Sequence, residues 1–176
     1  MKTGKIMTEI RKAVPEDAAV IVSLLYESFI AYKPLYTEKA FAATIAGQSE
    51  IENRIETKTV FIARYNNMTA GTVTLFPHTG RLHIRSMAVR PDARGKGVGI
   101  ALLNHVQEFA CAKEIACLTL RTTAFLSEAI RLYERFGFKQ LEYDDLHDLH
   151  GTPLIQMIKS LKPITKNKIE KNDHTK

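Results

Sequence analysis

One short segment combines glycine and cationic residues in a way that suits anion binding. Gly95, Gly97 and Gly99 lack Cβ atoms, so successive backbone N–H groups can point into one concavity. A helix beginning there would add unpaired amides and partial positive charge, and Arg94 and Lys96 would add two full charges. The segment is therefore predicted to bind a diphosphate. The alternative is a plain flexible turn, which the cost of about 1 kcal/mol for each helical glycine relative to alanine disfavours.

Two familiar phosphate loops do not fit this segment. A Walker loop requires Ser or Thr after Gly-Lys, whereas Gly97 follows Gly95–Lys96. The dinucleotide fingerprint G-x-G-x-x-G requires glycine where Ile100 stands. The pattern that fits is Arg-x-x-Gly-x-Gly, which begins at Arg94 and ends at Gly99.

A second motif follows downstream, and the two together resemble the GNAT superfamily of N-acetyltransferases. In that family Arg/Gln-x-x-Gly-x-Gly/Ala, between the fourth strand and the third helix, binds the pyrophosphate of acetyl-CoA. The family pattern A-x-x-L-Y-x-x-x-G-F is matched at Ala129, Leu132, Tyr133, Gly137 and Phe138. The resemblance covers roughly residues 8–160 and is strongest over 82–138.

The resemblance implies a GNAT-like α/β fold, with a mixed central sheet of six to seven strands flanked by about four helices. It implies acetyl-CoA as co-substrate and no metal. The strand ending at Val89 would pair with the pantetheine arm through backbone amides, and an N–H near Val89 would hold the developing oxyanion. The residues expected to contact the cofactor are Met87, Ala88, Val89, Arg94, Gly95, Lys96, Gly97, Val98, Gly99, Leu126 and Tyr133.

Two residues are expected to act in catalysis by the same resemblance. Tyr133 lies where family members place a hydroxyl near the CoA sulfur, which makes it the candidate general acid. His83 stands where many members carry a glutamate base, and a neutral imidazole with an ordinary pKa near 6.5 suits that task. An ordinary strand histidine is an equally good interpretation of His83. Leu126 replaces an asparagine that often contacts the pantetheine arm, so cofactor orientation is expected to be weaker.

The acceptor is expected to be an amine, either a small molecule or part of a peptide, bound opposite CoA. Phe29, Tyr32 and Tyr36 cluster near the break at Pro34 and could form an apolar wall, although Phe29 also fits a helical core. An acidic stretch that includes Asp144 and Asp145 could steer a cationic amine. A solvated polar loop is the alternative for that stretch.

The elements that would position these residues alternate along the chain. Helices are predicted from Pro15 to about Tyr32 and from Thr37 to Ile55, the second with an interruption left open at Gly47, and over 98–113 and 127–136. Strands are predicted over 8–13, 59–66, 69–77, 81–89, 115–122, 138–143 and 153–161. This order predicts a mixed α/β sheet rather than a regular Rossmann repeat. We expect one domain over 8–161, followed by a basic disordered tail over 162–176.

The net charge of +6 and the pI near 9.3 invite a nucleic-acid hypothesis, but the distribution of charge argues against it. Residues 162–176 carry five lysines against Glu170 and Asp173, and residues 1–7 add two more lysines. The body is left at about +1. No nucleic-acid partner is therefore expected, and binding through the basic tail is the less favoured alternative.

Composition indicates a globular, intracellular protein. Hydrophobic residues make up 45% and charged residues 25%, and no apolar run is expected to reach the roughly 18 residues of a membrane span. Two cysteines and the absence of a signal-peptide core point to the cytoplasm, with no membrane partner. A homodimer is an open expectation. The predicted function is direct acetyl transfer from acetyl-CoA to an amine, and the alternative is a catalytically impaired CoA-binding regulatory module.

Overall fold

The computed structural model describes residues 8–141 and 148–161, and its centre is a seven-stranded mixed sheet. The sheet strands are β1 (Glu9–Lys12), β2 (Thr59–Tyr65), β3 (Met68–His78), β4 (Arg81–Val89), β5 (Cys117–Thr122), β6 (Lys139–Gln140) and β9 (Ile155–Ser160). A separate hairpin consists of β7 (Asp148–Leu149) and β8 (Thr152–Pro153). The helices are α1 (Ala18–Phe29), α2 (Glu38–Ile45), α3 (Gln48–Thr57), α4 (Val98–Ala112) and α5 (Ser127–Arg135).

The spatial strand order is β1-β2-β3-β4-β5-β9-β6, and its neighbouring strands are antiparallel except for the parallel pair β4–β5. A parallel pair needs a crossover connection, and α4 provides it between β4 and β5. The predicted mixed sheet of six to seven strands is therefore confirmed. The described part of the chain has five helices, where about four were expected, because Gly47 separates α2 from α3.

Two hydrophobic cores lie on the two faces of this sheet. On β2, Phe61 and Ala63 pack with α4 on one face, while Val60 and Ile62 pack with α1 and α3 on the other. This follows from the period of two in a strand, which sends successive side chains to opposite faces. Because both faces are covered over β2 and β3, most residues of these strands are buried, including the polar Thr72 and Thr74 of β3.

A β-bulge interrupts β4. Arg85 pairs with Thr74 and Ala88 pairs with Thr72, so that Ser86 and Met87 together oppose a single residue of β3. Ser86 has a φ of +47°, which is in the left-handed region. The extra residue reverses the alternation of side chains along β4. Even-numbered side chains of β4 therefore face the α4 core before the bulge, as Ile84 does, and the α1–α3 core after it, as Ala88 does.

β4 and β5 separate after Ile84, just before the bulge, and leave a wedge between them. Their pairing runs from Arg81 opposite Cys117 to Ile84 opposite Leu120 and then stops. Both strands continue, β4 to Val89 and β5 to Thr122. One edge of β4 from Arg85 to Val89 therefore faces the wedge rather than a neighbouring strand.

One helix end and one strand depart from the predicted boundaries. The first helix ends at Phe29 and not near Tyr32, because a 3₁₀ segment, Ile30–Leu35, takes over and accommodates Pro34. Gly137 ends α5 with a φ of +97°, as its αL cap position predicts. The strand expected over 138–143 contains only Lys139–Gln140 among the described residues.

The segment Pro15–Leu35 reaches the length and mean hydropathy, 1.3, of a candidate membrane span. The expectation that no apolar run comes near that length was therefore wrong by this measure. The measure is weak evidence, because a core helix passes the same test. Only 28% of the most apolar 18-residue window in this segment is buried, but Ile21, Leu24 and Leu25 of α1 belong to the core that α1 forms with α3.

Candidate active site

A cavity of about 1650 Å³ opens at the wedge between β4 and β5. Pockets for one small ligand occupy about 300–1000 Å³, so this cavity has room for a cofactor and an acceptor together. The structure brings most of the predicted site residues to its wall: Phe29, Tyr32, Tyr36, His83, Met87, Ala88, Val89, Arg94, Gly95, Gly97, Val98, Gly99, Leu126 and Tyr133. Lys96 is exposed and does not line it.

The glycine segment forms an open loop ahead of α4. Gly95 and Gly97 have φ values of +71° and +84°, and a Cβ at Gly95 would meet no atom within 4 Å. The first helical bond is donated by Ala101 to the carbonyl of Gly97, at 3.0 Å. The amides of Val98, Gly99 and Ile100 therefore lie in the first turn without a helical acceptor. The loop has the free donors that a diphosphate would require.

Gly99 serves a purpose that the sequence did not predict. A Cβ at this position would come within 2.9 Å of Leu132 Cδ2. The missing side chain thus allows α4 and α5 to approach each other closely. Gly95 and Gly97 are required by the loop conformation, whereas Gly99 is required by packing.

Arg94 ties the loop to its surroundings. Its Nη2 donates to the carbonyl of Ser28 at 3.0 Å, and its Nε donates to the carbonyl of Val89 at 3.4 Å. Ser28 is buried and also donates its hydroxyl to the Val89 carbonyl at 3.2 Å. These bonds join the end of α1, the end of β4 and the glycine loop. Sequence reasoning missed Ser28, whose only signal was a polar residue on the apolar face of a helix.

The backbone N–H of Val89 points into the wedge. The next amide, Arg90, donates to the carbonyl of Ala70 on β3 at 2.9 Å. Because successive peptide groups in a strand point to opposite sides, the N–H and C=O of Val89 face away from β3. Its carbonyl is occupied by Ser28 and Arg94, which leaves the N–H as a donor directed at the cavity.

Arg54 of α3 holds the bulge of β4 at Ser86, a role that the sequence did not predict. Arg54 is 4% exposed, donates to Ser86 Oγ at 2.8 Å and forms an ion pair with Glu50 one turn earlier on α3. A buried guanidinium requires such partners, because an unpaired buried charge is costly. The Arg54 side chain that holds Ser86 is therefore itself fixed by its ion pair with Glu50.

Tyr133 is buried, with 7% of its surface exposed, and its ring packs edge-on against Phe138 at 5.8 Å between centroids. Burial raises the pKa of Tyr133 to about 12, because the phenolate is disfavoured away from water. The hydroxyl is therefore protonated across the physiological range. It can donate a hydrogen bond into the cavity that it lines.

His83 lies on β4 beside Thr119 of β5, with Nδ1 at 3.0 Å from the threonine hydroxyl. Burial lowers the pKa of His83 to about 4, and the positive charges of Arg121, Arg85 and the neighbouring His78 add to this effect. The imidazole is therefore neutral at pH 7. It is a much weaker base than the ordinary value near 6.5 would make it.

Leu126 occupies the N-cap position of α5 without any side-chain bond to the helix amides. Its own N–H donates to the carbonyl of Thr123 at 3.1 Å. Thr123 is 2% exposed, and its Oγ1 has no partner at hydrogen-bond geometry in the described part of the chain, although it lies near enough to the Tyr36 hydroxyl to affect its pKa. A buried hydroxyl of this kind on the cavity wall is suited to a ligand.

The acceptor side of the cavity has an aromatic wall. Phe125 stacks on Tyr32 at 6.3 Å between centroids and meets Tyr36 edge-on at 4.8 Å. Burial raises the pKa of Tyr36, an effect that the nearby hydroxyls of Thr123 and Thr44 partly oppose. Phe125 was not predicted. Asp144 and Asp145, which were expected to face the acceptor, lie outside the described residues.

The same wall is joined to the C-terminal hairpin. Thr37 caps α2, accepting a bond from the Ala40 amide at 3.2 Å. Its hydroxyl donates to the carbonyl of His150 at 2.7 Å, and its N–H donates to Thr152 Oγ1 at 3.1 Å.

The described residues contain no group of three or more His, Cys, Asp or Glu side chains that could hold a metal ion.

Comparison with known proteins agrees with this geometry. The family model of the acetyltransferase (GNAT) domain matches residues 56–140, from the end of α3 to β6. The N-acetyltransferase YhfO of Bacillus subtilis, described as uncharacterized, is 29% identical over 140 residues, which cover 74% of this chain and 89% of that protein. Over residues 56–140, this chain belongs to the GNAT superfamily of N-acetyltransferases. The resemblance stated from the two motifs is thereby confirmed.

Two further comparisons show the range of the superfamily around this chain. An N-acetylaspartate synthetase of Xenopus tropicalis is 37% identical over 70 residues, but these cover only 40% of this chain and 26% of that protein. The crystal structure of a PaiA N-acetyltransferase from Thermoplasma acidophilum, in complex with coenzyme A, superposes with a TM-score of 0.76. It is 21% identical, and the match covers 89% of this chain and 100% of that one, which establishes the shared GNAT fold.

Proposed function

We propose that this GNAT protein transfers an acetyl group from acetyl-CoA directly to an amine. The observation that carries the proposal is the wedge between β4 and β5, which has the glycine loop at one end and the Val89 N–H inside it. The loop and the wedge fit a diphosphate joined to a narrow amide-bearing arm. Acetyl-CoA is such a molecule, and it supplies a thioester carbonyl that is reactive toward amines.

The residues that would hold acetyl-CoA follow from their donors. The first-turn amides of α4, with Arg94, would bind the diphosphate oxygens, and the exposed Lys96 would add positive charge near them. The exposed edge of β4, from Met87 to Val89, would pair with the amides of the pantetheine arm as an added strand does. The unpartnered hydroxyl of Thr123 is a further donor on the same wall.

Two groups would act at the reacting bond. The Val89 N–H would donate to the carbonyl oxygen as negative charge develops there. The amine nitrogen forms the new bond to carbon, the carbon–sulfur bond breaks, and the electron pair leaves on sulfur. The Tyr133 hydroxyl would donate a hydrogen bond to that sulfur, which takes up a proton as free thiol.

His83 is proposed to accept the proton that the amine releases. Its lowered pKa keeps the imidazole neutral and free to accept a proton at pH 7, but it also makes the base weak. His83 would therefore hold the proton briefly before it passes to water. The acceleration that it provides is expected to be small compared with that of the Val89 N–H.

The test is acetylation itself. The protein is incubated with acetyl-CoA and a panel of amines while free thiol is measured. We expect thiol release that depends on the amine, with an acetylated amine as the product. If the protein binds CoA tightly but no amine accelerates thiol release, the alternative of a catalytically impaired CoA-binding module is correct. Leu126, whose side chain offers no polar contact at the N-cap of α5, is the observation that favours this alternative.

The proposed setting is the cytoplasm, where thiols are kept reduced. Cys111 and Cys117 are both free and half-buried, which agrees with such a compartment. The proposed acceptor is a small molecule or peptide and not a nucleic acid. The basic tail, on which a nucleic-acid role would depend, lies outside the described residues. A homodimer and the single-domain boundary at 8–161 stay predictions.

A further inference from the structure

A group of three arginines lines the acceptor end of the cavity. Arg81 and Arg85 lie on β4, and Arg121 lies on β5. His83 is paired with Thr119, so the alternation of the two strands places Arg81, Arg85 and Arg121 on one face with the imidazole. Helices α1 to α3 cover that face over the neighbouring strands, while the cavity lies over the arginines.

These arginines have no acidic partners in the part of the chain that the structure describes. None of the three has a carboxylate oxygen within 4.0 Å. Glu50 is the carboxylate that acts on Arg85, but it is already paired with Arg54. Two other acids on the cavity wall are also engaged, Glu128 with Arg131 and Asp148 with the Gly151 amide.

Arg85 is held in position by an aromatic ring. Its Cζ lies 5.3 Å from the centroid of Phe76 on β3. Burial lowers the pKa of Arg85, as do the charges of Arg54 and Arg121, and Glu50 partly offsets this. The guanidinium is still charged at pH 7, because arginine has no accessible neutral form there. The wall therefore presents oriented and mutually repelling cations, which an anionic group would stabilise.

This positive wall is separate from the proposed diphosphate site. Arg85 and Val89 pair with Thr74 and Gly71, which are three residues apart on β3, and this corresponds to about 10 Å along a strand. The bulge at Ser86 and Met87 lies between them. The diphosphate loop begins still further on, at Arg94. The diphosphate of the cofactor would therefore bind at the loop, and a different anionic group would bind at the arginines.

We propose that the acceptor of this enzyme is a small amine that also carries a carboxylate, such as an amino acid, with the carboxylate bound by Arg85 and Arg121. The proposal rests on the proposed acetyl transfer and names the acceptor class. A guanidinium binds a carboxylate through two parallel hydrogen bonds, which fixes the direction of the molecule. The amine would then point along the face toward the wedge, and Tyr32 and Tyr36, against which Phe125 packs, would contact the apolar body of the acceptor.

The first experiment compares amines that differ only in the carboxylate. Phenylalanine is paired with phenethylamine and tyrosine with tyramine, and kcat/KM is obtained from thiol release. We expect the carboxylate-bearing member of each pair to be better by about 10- to 100-fold, the effect of a charged hydrogen bond. Equal values, or a preference for the decarboxylated amine or for 2-aminoethylphosphate over β-alanine, would overturn the proposal.

The second experiment changes the arginines. We expect Arg85→Gln and Arg121→Gln to bring the selectivity ratio for phenylalanine over phenethylamine close to one, mainly through KM for phenylalanine. Arg85→Lys keeps the charge but loses the paired bonds, and an intermediate ratio is expected. Arg64→Gln is the matched control, since Arg64 lies on β2 and donates to Asn67 in the β2–β3 turn. A ratio unchanged by both glutamine variants contradicts the assignment.

A binding measurement distinguishes a wrong acceptor class from a wrong proposed function. Heats of binding of phenylalanine and phenethylamine are measured on the CoA-loaded protein, with the same variants. Selective binding of phenylalanine that is lost in Arg85→Gln supports the carboxylate site even if no acetyl transfer is found. Transfer to both amines without any carboxylate-dependent binding shows that the acetyltransferase is real and that the acceptor class is wrong.

Discussion

Tyr133 and His83 are the two titratable side chains proposed to act at the wedge, and burial shifts their pKa values in opposite directions, so that both are neutral at pH 7. Burial disfavours the phenolate and raises the pKa of Tyr133 to about 12. Burial also disfavours the imidazolium and lowers the pKa of His83 to about 4. The two side chains can therefore meet a neutral amine and form hydrogen bonds without carrying charge themselves.

Replacing Tyr133 by Phe should lower kcat by about 100-fold, the lower end of the range for a positioned proton donor. The loss should be the same from pH 6 to pH 9, because the hydroxyl does not ionise until pH 12 is approached. Steady-state rates across this range test the prediction. Tyr26→Phe, an exposed position on α1, is the control. An unchanged rate at both neutral and high pH would show that Tyr133 is only a packed aromatic.

His83 should make the folded state sensitive to acid. Between pH 6.5 and pH 4 the unfolded chain takes up a proton on this side chain and the folded protein does not, so stability falls as the pH is lowered through this range. In His83→Gln this part of the acid sensitivity should disappear. Thermal midpoints of the two proteins from pH 4 to pH 7 measure it, and parallel curves would contradict the lowered pKa.

At the scale of elements, the bulge of β4 is what orients the edge that faces the wedge. Ser86 adopts a φ of +47°, and Arg54 of α3 holds its hydroxyl. The bulge reverses the alternation of β4, so that Ile84 packs with α4 while Ala88 packs with α1 and α3. A helix that is distant in sequence therefore sets the direction of the Val89 amide.

The conformation of the bulge can be tested with two substitutions at Ser86. Both Ser86→Gly and Ser86→Val remove the bond to Arg54, but valine is strained at positive φ and glycine is not. The valine variant should be less stable than the glycine variant by about 1–3 kcal/mol. Urea unfolding of the two proteins measures the difference. Equal stability would mean that the backbone at Ser86 is not held in the left-handed region.

At the scale of the whole molecule, the cavity lies where the sheet is least complete. β4 and β5 are paired over only four residues on each strand, and the loop, α4 and α5 approach from the side. A ligand that joins these elements should stabilise the entire fold, because it binds the folded protein and not the unfolded chain.

Acetyl-CoA at 100 times its dissociation constant should therefore raise the free energy of unfolding by about 2.7 kcal/mol. At the same concentration Arg94→Gln should show a smaller rise, because this side chain joins the loop to α1 and β4. Denaturant unfolding with and without ligand measures both values. Sodium sulfate at equal ionic strength is the control, and an equal rise with sulfate would mean that the effect is not specific to the cofactor.

The local features of this protein could be inferred from the sequence alone. The strand 81–89 and the helices near 98–113 and 127–136 follow from periods of two and 3.6 residues, and the structure places them within a few residues. Gly137 adopts the positive φ value that its position at the end of α5 predicts, and Gly95 and Gly97 form the open loop expected of the glycine segment. These features depend on neighbours in the chain, so the sequence contains the information directly.

Contacts between distant segments were decided only by the tertiary structure. The separation of β4 and β5, the bond from Arg54 to Ser86 and the link from Ser28 through Val89 to Arg94 join residues far apart in sequence. The arginine wall likewise arises because β4 and β5, with α4 between them in the chain, lie side by side. The pKa of His83 depends on the burial and neighbouring charges that this arrangement creates, and no local pattern of residues specifies them.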